Sequence, residues 1–198
     1  MDAEDPVDSP VMDIETARNL MHEWVESPSL RGHMEAVAAC MGHHARRVAP
    51  ERIEAWTVAG LLHDFDYERH PTAEEHPFVG VEHLRTLGVE REIVDAILGH
   101  APYTGVPRDS AMAKHLFASD ELAGFIVAVA RVRPNMFEDL KAKSVRKKLK
   151  DKAFAAAVDR EDIRVGIEEL GVDEGEHIDR CIEAIRAASD RIVGTGTA

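Results

Sequence analysis

The segment AGLLHDFDYERHP, Ala59 to Pro71, runs apolar and then stops abruptly in His63 and Asp64, followed at once by Asp66, Glu68, Arg69 and His70. Imidazole and carboxylate are ligands of borderline and hard divalent metals, and an adjacent His-Asp pair at a helix end can turn both side chains toward one ion. Further histidines stand where helices end or loops begin, among them His33, His76 and His100. Asp120 lies within LFASDELAGFIVAVA, inside the most apolar segment of the chain. A buried, unpaired carboxylate costs several kcal/mol, so Asp120 needs a cation, a set of donors or a solvent cleft. A metal would satisfy it, as would pairing with Lys114 or capping a nearby turn.

The elements that must carry these residues read as helices almost throughout. Ser29 is the expected cap of a helix in which Val37, Met41 and Ala45 recur every four residues, and Glu51 to Leu62 continues with Ile53, Trp56 and Ala59 to Leu62. Pro77 fits the first turn of a helix running to Leu87 with Gly88 as its stop, and Glu90 to Gly99 places Ile93, Val94, Ile97 and Leu98 on one face. Ser110 opens a long segment through Val132 whose later half, GFIVAVARV, is apolar on nearly every side, which predicts a central helix. Phe125 to Val129 is β-branched in part, but the segment is longer than most strands. Asp159 opens REDIRVGIEEL with Asp162 in capping-box position, Gly171 closes it, and Gly175 to Ile192 forms a last amphipathic helix. There is no internal repeat and no clean strand alternation, so the expected class is all-α.

Taken together, His33, then His63-Asp64, then Asp120 resembles the H…HD…D signature of the HD-domain superfamily of metal-dependent phosphohydrolases. The resemblance spans roughly residues 30–125. It is reinforced by Ala59-Gly60 before LLHD, by His76-Pro77 with Gly80 in EHPFVGVEHL, and by Ile97-Leu98-Gly99-His100. It is similar to the small stand-alone bacterial HD or HDIG-type members, although Phe65-Asp66 stands where the HDIG name expects Ile-Gly. His100 is followed by Ala101, and no Gly-Tyr-Pro element occurs, which disfavours a cyclic dinucleotide substrate. The resemblance implies a helical bundle in which His33, His63, Asp64 and Asp120 hold a divalent ion. That ion could be manganese, iron, nickel, cobalt, zinc or magnesium. It also implies that His76 and His100 either complete a second site bridged by Asp64 or line the pocket and contact phosphate.

The implied activity is hydrolysis of a phosphate ester of a small molecule, most plausibly a nucleotide, by a metal that activates water and polarises a phosphoryl oxygen. Asp66 and Glu68 are the nearest further carboxylates by sequence and are candidates for acid or base, or else loop residues and caps. The segment KAKSVRKKLKDKAF, Lys141 to Phe154, concentrates positive charge. Its Arg146, Lys147, Lys148 and Lys150, with Arg133, are candidates for recruiting phosphate, or simply a solvated helical face. His43 and His44 lie about 15 Å beyond His33 along a helix, so they cannot share its ion and read as surface or packing residues. His22, His83, His115 and His177 lack a motif. The rival functions are an HD-fold di-iron oxygenase, for which His76 and His100 would supply the extra ligands, and a non-catalytic metal- or nucleotide-binding module.

Length and charge bound these readings. The 198 residues suit one domain: an acidic leader over 1–12, a bundle over 13–193 with C-terminal helices in 135–193, and a flexible tail over 194–198. Formal charge is −13, but six acidic residues fall before residue 16 with no Lys or Arg to offset them. So acidic a chain is not expected to bind duplex nucleic acid. Cys40 and Cys181 form no CxxC pair or disulfide framework, and the N-terminus has no basic or apolar signal region. The longest apolar run, Gly124 to Ala130, is too short to cross a bilayer. The expectation is a cytoplasmic protein, monomer or homodimer, that binds a small phosphorylated substrate.

Overall fold

Helix α6 (Ala111–Arg131) runs through the middle of the molecule because its sequence leaves it almost no polar side: thirteen of its residues are buried, from Met112 to Ala130. The structure is a computed structural model and describes residues 12–193. Among them are ten α-helices and no strand. In chain order the others are α1 (Ile14–Trp24), α2 (Pro28–Val48), α3 (Ile53–Leu62), α4 (Phe78–Thr86), α5 (Arg91–His100), α7 (Ala142–Leu149), α8 (Arg160–Leu170), α9 (Glu174–Ala187) and α10 (Ser189–Val193). The leader and tail expected at the two ends fall outside the described residues, except for Met12, which packs partly buried against the core.

α6 is gripped by α2, α5, α8 and α9, and α2 in turn packs against α3, α9 and α10. The tightest approach is between α2 and α3. A Cβ at Gly60 would stand 2.6 Å from Ala38 Cα, so hydrogen at that position lets the two helices meet backbone to backbone. α3 is buried on nearly every side, from Ala55 through Leu62, rather than on the single broad face its sequence suggests. This matters for the site, because α2 carries His33 and α3 ends in His63-Asp64.

Helix ends follow local chemistry, with some shifts from expectation. Ser110 accepts from Ala113 N–H at 3.0 Å, as expected for an N-cap. α2 is capped by Ser27, not Ser29: Pro28 takes the first helical position, where its missing N–H costs nothing, and Ser27 Oγ accepts from Leu30 N–H. Pro50–Arg52 forms a short 3-10 turn before α3, so that helix starts two residues later than Glu51. Asp159 caps α8 by accepting from Glu161 and Asp162 N–H, but its own N–H goes to Glu121 Oε2 on α6 rather than to Asp162. The stops at Gly88 and Gly171 are left-handed, with φ of 72° and 65°. The last helix is two, because the chain leaves α9 at Ala188 before α10 resumes.

Candidate metal centre

Where α3 ends, His63 is fully buried and its Nδ1–H donates to Gly60 O at 2.9 Å. That bond makes Nδ1 the donor and turns Nε2 inward, where it can ligate once deprotonated. His33 on α2, Asp64 just past α3 and Asp120 on α6 converge on the same point. His33 Nε2 lies 3.1 Å from His63 Nε2, 3.0 Å from Asp120 Oδ1 and 3.6 Å from Asp64 Oδ2. His63 Nε2 lies 3.3 Å from Asp120 Oδ1 and 3.5 Å from Asp64 Oδ2. Donors at about 2.0–2.2 Å from one centre are separated by roughly these distances. Asp120 meets two imidazoles here, so neither Lys114 nor a turn is its partner.

Asp64 divides its carboxylate. Its Oδ2 faces His33 and His63, while its Oδ1 lies 3.3 Å from both His76 Nε2 and His100 Nε2. Like His63, these two rings are held from behind. His100 donates Nδ1–H to Ile97 O within its own helix end, and His76 donates Nδ1–H to Asp66 Oδ1 at 2.7 Å. Asp66 Oδ2 accepts from Gly80 N–H at 2.7 Å, in the first turn of α4. A Cβ at Gly80 would stand 2.7 Å from the Asp66 carboxyl carbon, which explains why a glycine follows His76-Pro77 at that spacing. His33, His63, Asp64 and Asp120 form one ligand group, and Asp64, His76 and His100 a second that shares Asp64.

The electrostatics show two kinds of group competing for the same space. Burial opposes charge on His63, but the carboxylates of Asp64 and Asp120 outweigh it and lift its pKa to about 9. Burial likewise opposes charge on His76, and hydrogen bonds to Asp64 and Asp66 prevail, again to about 9. Asp64 and Asp120, despite burial, are held well below the usual carboxylate range by the facing imidazoles. Protons on these nitrogens must leave before a cation can enter. Metal uptake is therefore expected to release protons below about pH 9 and to tighten as pH rises toward it. Calorimetry near neutral pH in buffers of different ionisation enthalpy measures that release, and the same heat in every buffer would contradict it.

A family model described as HD domain matches residues 30–163, about two thirds of the chain. The chain belongs to the HD-domain family. Neither the comparison with curated proteins nor that with solved structures returns a match. Membership places the protein in a superfamily of metal-dependent phosphohydrolases, and its His and Asp clusters are arranged so that they could hold divalent metal. No helix among the described residues is long and apolar enough to cross a membrane.

The HD-domain centre opens into a cleft of about 370 Å³, bordered by Tyr67, Tyr103, Phe117, Glu121 and Asp162 as well as by ligands of both groups. Of the carboxylates anticipated for proton transfer, Asp66 is buried with both oxygens engaged, so the structure assigns it to orienting His76. Glu68 is turned away, its Oε2 accepting from Glu26 and Ser27 N–H in the turn before α2. The structure does not bring the anticipated phosphate cations to the cleft, since Arg133, Arg146, Lys147, Lys148 and Lys150 are all absent from its lining. Three of them pair locally instead: Arg133 with Asp139, Arg146 with Glu174, and Lys148 with Asp151. Sequence reasoning missed Glu121, whose pKa is raised to about 7 by burial and by the neighbouring Asp120 charge. Its position directly after Asp120 was the available signal. A larger depression of about 870 Å³ lies against α2 and α9, where Arg46, Arg47 and Arg180 alternate with Glu176, Asp179 and Glu183. It contains none of the ligand groups described.

If Asp66 acts only through His76, Asp66→Asn has a selective effect. An amide NH2 would have to face one of two donors, His76 Nδ1–H or Gly80 N–H, and the carboxylate charge behind His76 would be lost. Affinity at the His76/His100 side is expected to fall about 10–100-fold, with the His33/His63 side retained. Equal loss at both sides in a metal titration would contradict this.

Proposed function

We propose that this chain is a metal-dependent hydrolase of small-molecule phosphate esters, with a nucleotide as the favoured substrate class, and that it works with two ions. The observation that carries the proposal is the division of Asp64, with one oxygen toward each pair of histidines. Two bound divalent ions would clamp the phosphoryl oxygens and supply an activated water at neutral pH.

The chain's own residues supply the rest. His33, His63 and Asp120 hold one side of the centre, His76 and His100 the other, and Asp64 sets the spacing. Asp66 and the Ile97 carbonyl fix which imidazole nitrogens face inward. Among the described residues no Lys or Arg borders the cleft, so the charge on a phosphate would be left to the metals, which favours two ions over one. Tyr67 and Tyr103 are exposed at the rim, with Tyr103 O–H donating to His76 O, and offer aromatic faces on which a nucleobase can stack. Of the two further carboxylates at the cleft, Glu121 and Asp162, Glu121 adjoins the ligand Asp120 and would be the one to exchange a proton with the leaving group.

The same absence of cationic side chains favours a second reading, a di-iron oxygenase that uses the same six ligands. A panel of nucleotide and sugar phosphate esters, run with manganese and with iron beside an oxygen electrode, separates the two. Phosphate release without oxygen uptake supports the hydrolase. Oxygen uptake with a di-iron spectroscopic signal and no phosphate release overturns it. A metal-loaded protein inert in both assays yet stabilised by a nucleotide would support a binding module instead.

A further inference from the structure

Away from the HD centre, α2 carries Cys40 and His44 and α9 carries His177 and Cys181, each pair four residues apart and so on one helix face. The two helices pack together, and all four side chains are buried, none more than 2% exposed. Cys181 Sγ lies 3.6 Å from His44 Nε2 and 3.8 Å from His177 Nε2. His44, His177 and Cys181 each offer a ligand atom to a common group within 4.8 Å, and Cys40 Sγ reaches the Cys181 carbonyl at 3.9 Å. A tetrahedral centre with Zn–S of about 2.3 Å and Zn–N of about 2.0–2.1 Å separates its sulfur and nitrogen ligands by about 3.6 Å.

We propose that His44, His177 and Cys181, joined by Cys40 once its thiol turns from the Cys181 carbonyl, form a structural zinc site that pins α9 to α2. His44, His177 and Cys181 form a buried candidate ligand group with no carboxylate in it, and the second thiol, Cys40, stands one turn from His44 on the same face of α2. A sulfur and nitrogen donor set of this kind selects zinc over the magnesium or manganese that an oxygen-rich site takes. Two contacts must be exchanged, the first being the Cys40 S–H bond to Cys181 O, which is lost when that sulfur turns toward the other three ligands. His177 Nε2–H donates to Ala118 O at 3.1 Å, and its ring lies nearly parallel to that of His44, so the ring must turn to give its lone pair to zinc. Four protein ligands close the site to water, which makes it structural rather than catalytic. α9 lies beyond the residues matched by the HD-domain model, so the ion would fasten the chain's C-terminal part to the HD core.

Cobalt substitution tests the proposal, because only a thiolate ligand gives sulfur-to-cobalt charge-transfer absorption and the HD centre contains no sulfur. Full-length wild-type protein, purified under reducing conditions and loaded with cobalt(II), is expected to show that absorption together with strong tetrahedral ligand-field bands. Asp64→Ala is expected to keep them and, as isolated, to retain about one zinc per chain, while Cys181→Ser loses both. Folded wild-type protein with no thiolate absorption would overturn the proposal, and this outcome needs no variant that folds poorly. An intact mass showing Cys40 and Cys181 joined as a disulfide would also overturn it.

Discussion

Replacing Asp64 with Ala is expected to empty the His76/His100 side of the HD centre, to weaken the ion at the other side and to lower phosphate-ester hydrolysis by about a thousandfold or more. The reason is geometric. His33, His63 and Asp120 retain three ligands for one ion, but His76 and His100 lose their only carboxylate, and the two sides lose the group that joins them. Asp64→Ala also leaves imidazoles without one of their balancing charges, so their protons are less tightly held and the pH dependence of metal uptake flattens. His76→Ala offers the contrast: it should cost one ion and leave the other. Metal content by plasma mass spectrometry on both variants, allowing for the proposed zinc on α2 and α9, checks this. Retention of full occupancy in Asp64→Ala would remove the basis for a shared centre.

Gly60→Val is expected to destabilise the fold by about 3 kcal/mol, seen as a fall of roughly 10 °C in the unfolding midpoint. The atom a Cβ would meet is backbone, Ala38 Cα at 2.6 Å, and backbone cannot rotate aside as a side-chain tip can. Relief requires α2 and α3 to separate, which moves His33 away from His63. Metal affinity should therefore fall together with stability, although Gly60 touches no metal ligand directly except through its carbonyl to His63. Thermal unfolding with and without added manganese measures both. An unchanged midpoint would mean that the helices have slack at this crossing.

Much of the centre was legible because its chemistry is unusual for its surroundings. His63-Asp64 ends an apolar helix, and Asp120 sits in an apolar one, and both anomalies resolve into the same cluster. The central helix was legible from GFIVAVARV, and the caps at Ser110 and Asp159 from residue type alone. What could not be read was partnership across the fold. Asp66 and Glu68 are two residues apart in the same turn, yet one is buried behind His76 and the other caps a distant loop. Nothing local distinguishes them. The basic stretch misled for a similar reason, because charge density on α7 says nothing about which way that helix faces. His44, read as a surface or packing residue for its distance from His33, and His177, which lacks a motif, meet only when α2 and α9 pack.

Whether Asp64 joins two ions is tested most directly by anomalous diffraction from manganese-loaded crystals. The predicted result is two peaks about 3.5–4 Å apart, one beside His33, His63 and Asp120 and the other beside His76 and His100, with an Asp64 oxygen on each. A single peak at the first group, with His76 and His100 bound only to water or phosphate, would contradict it.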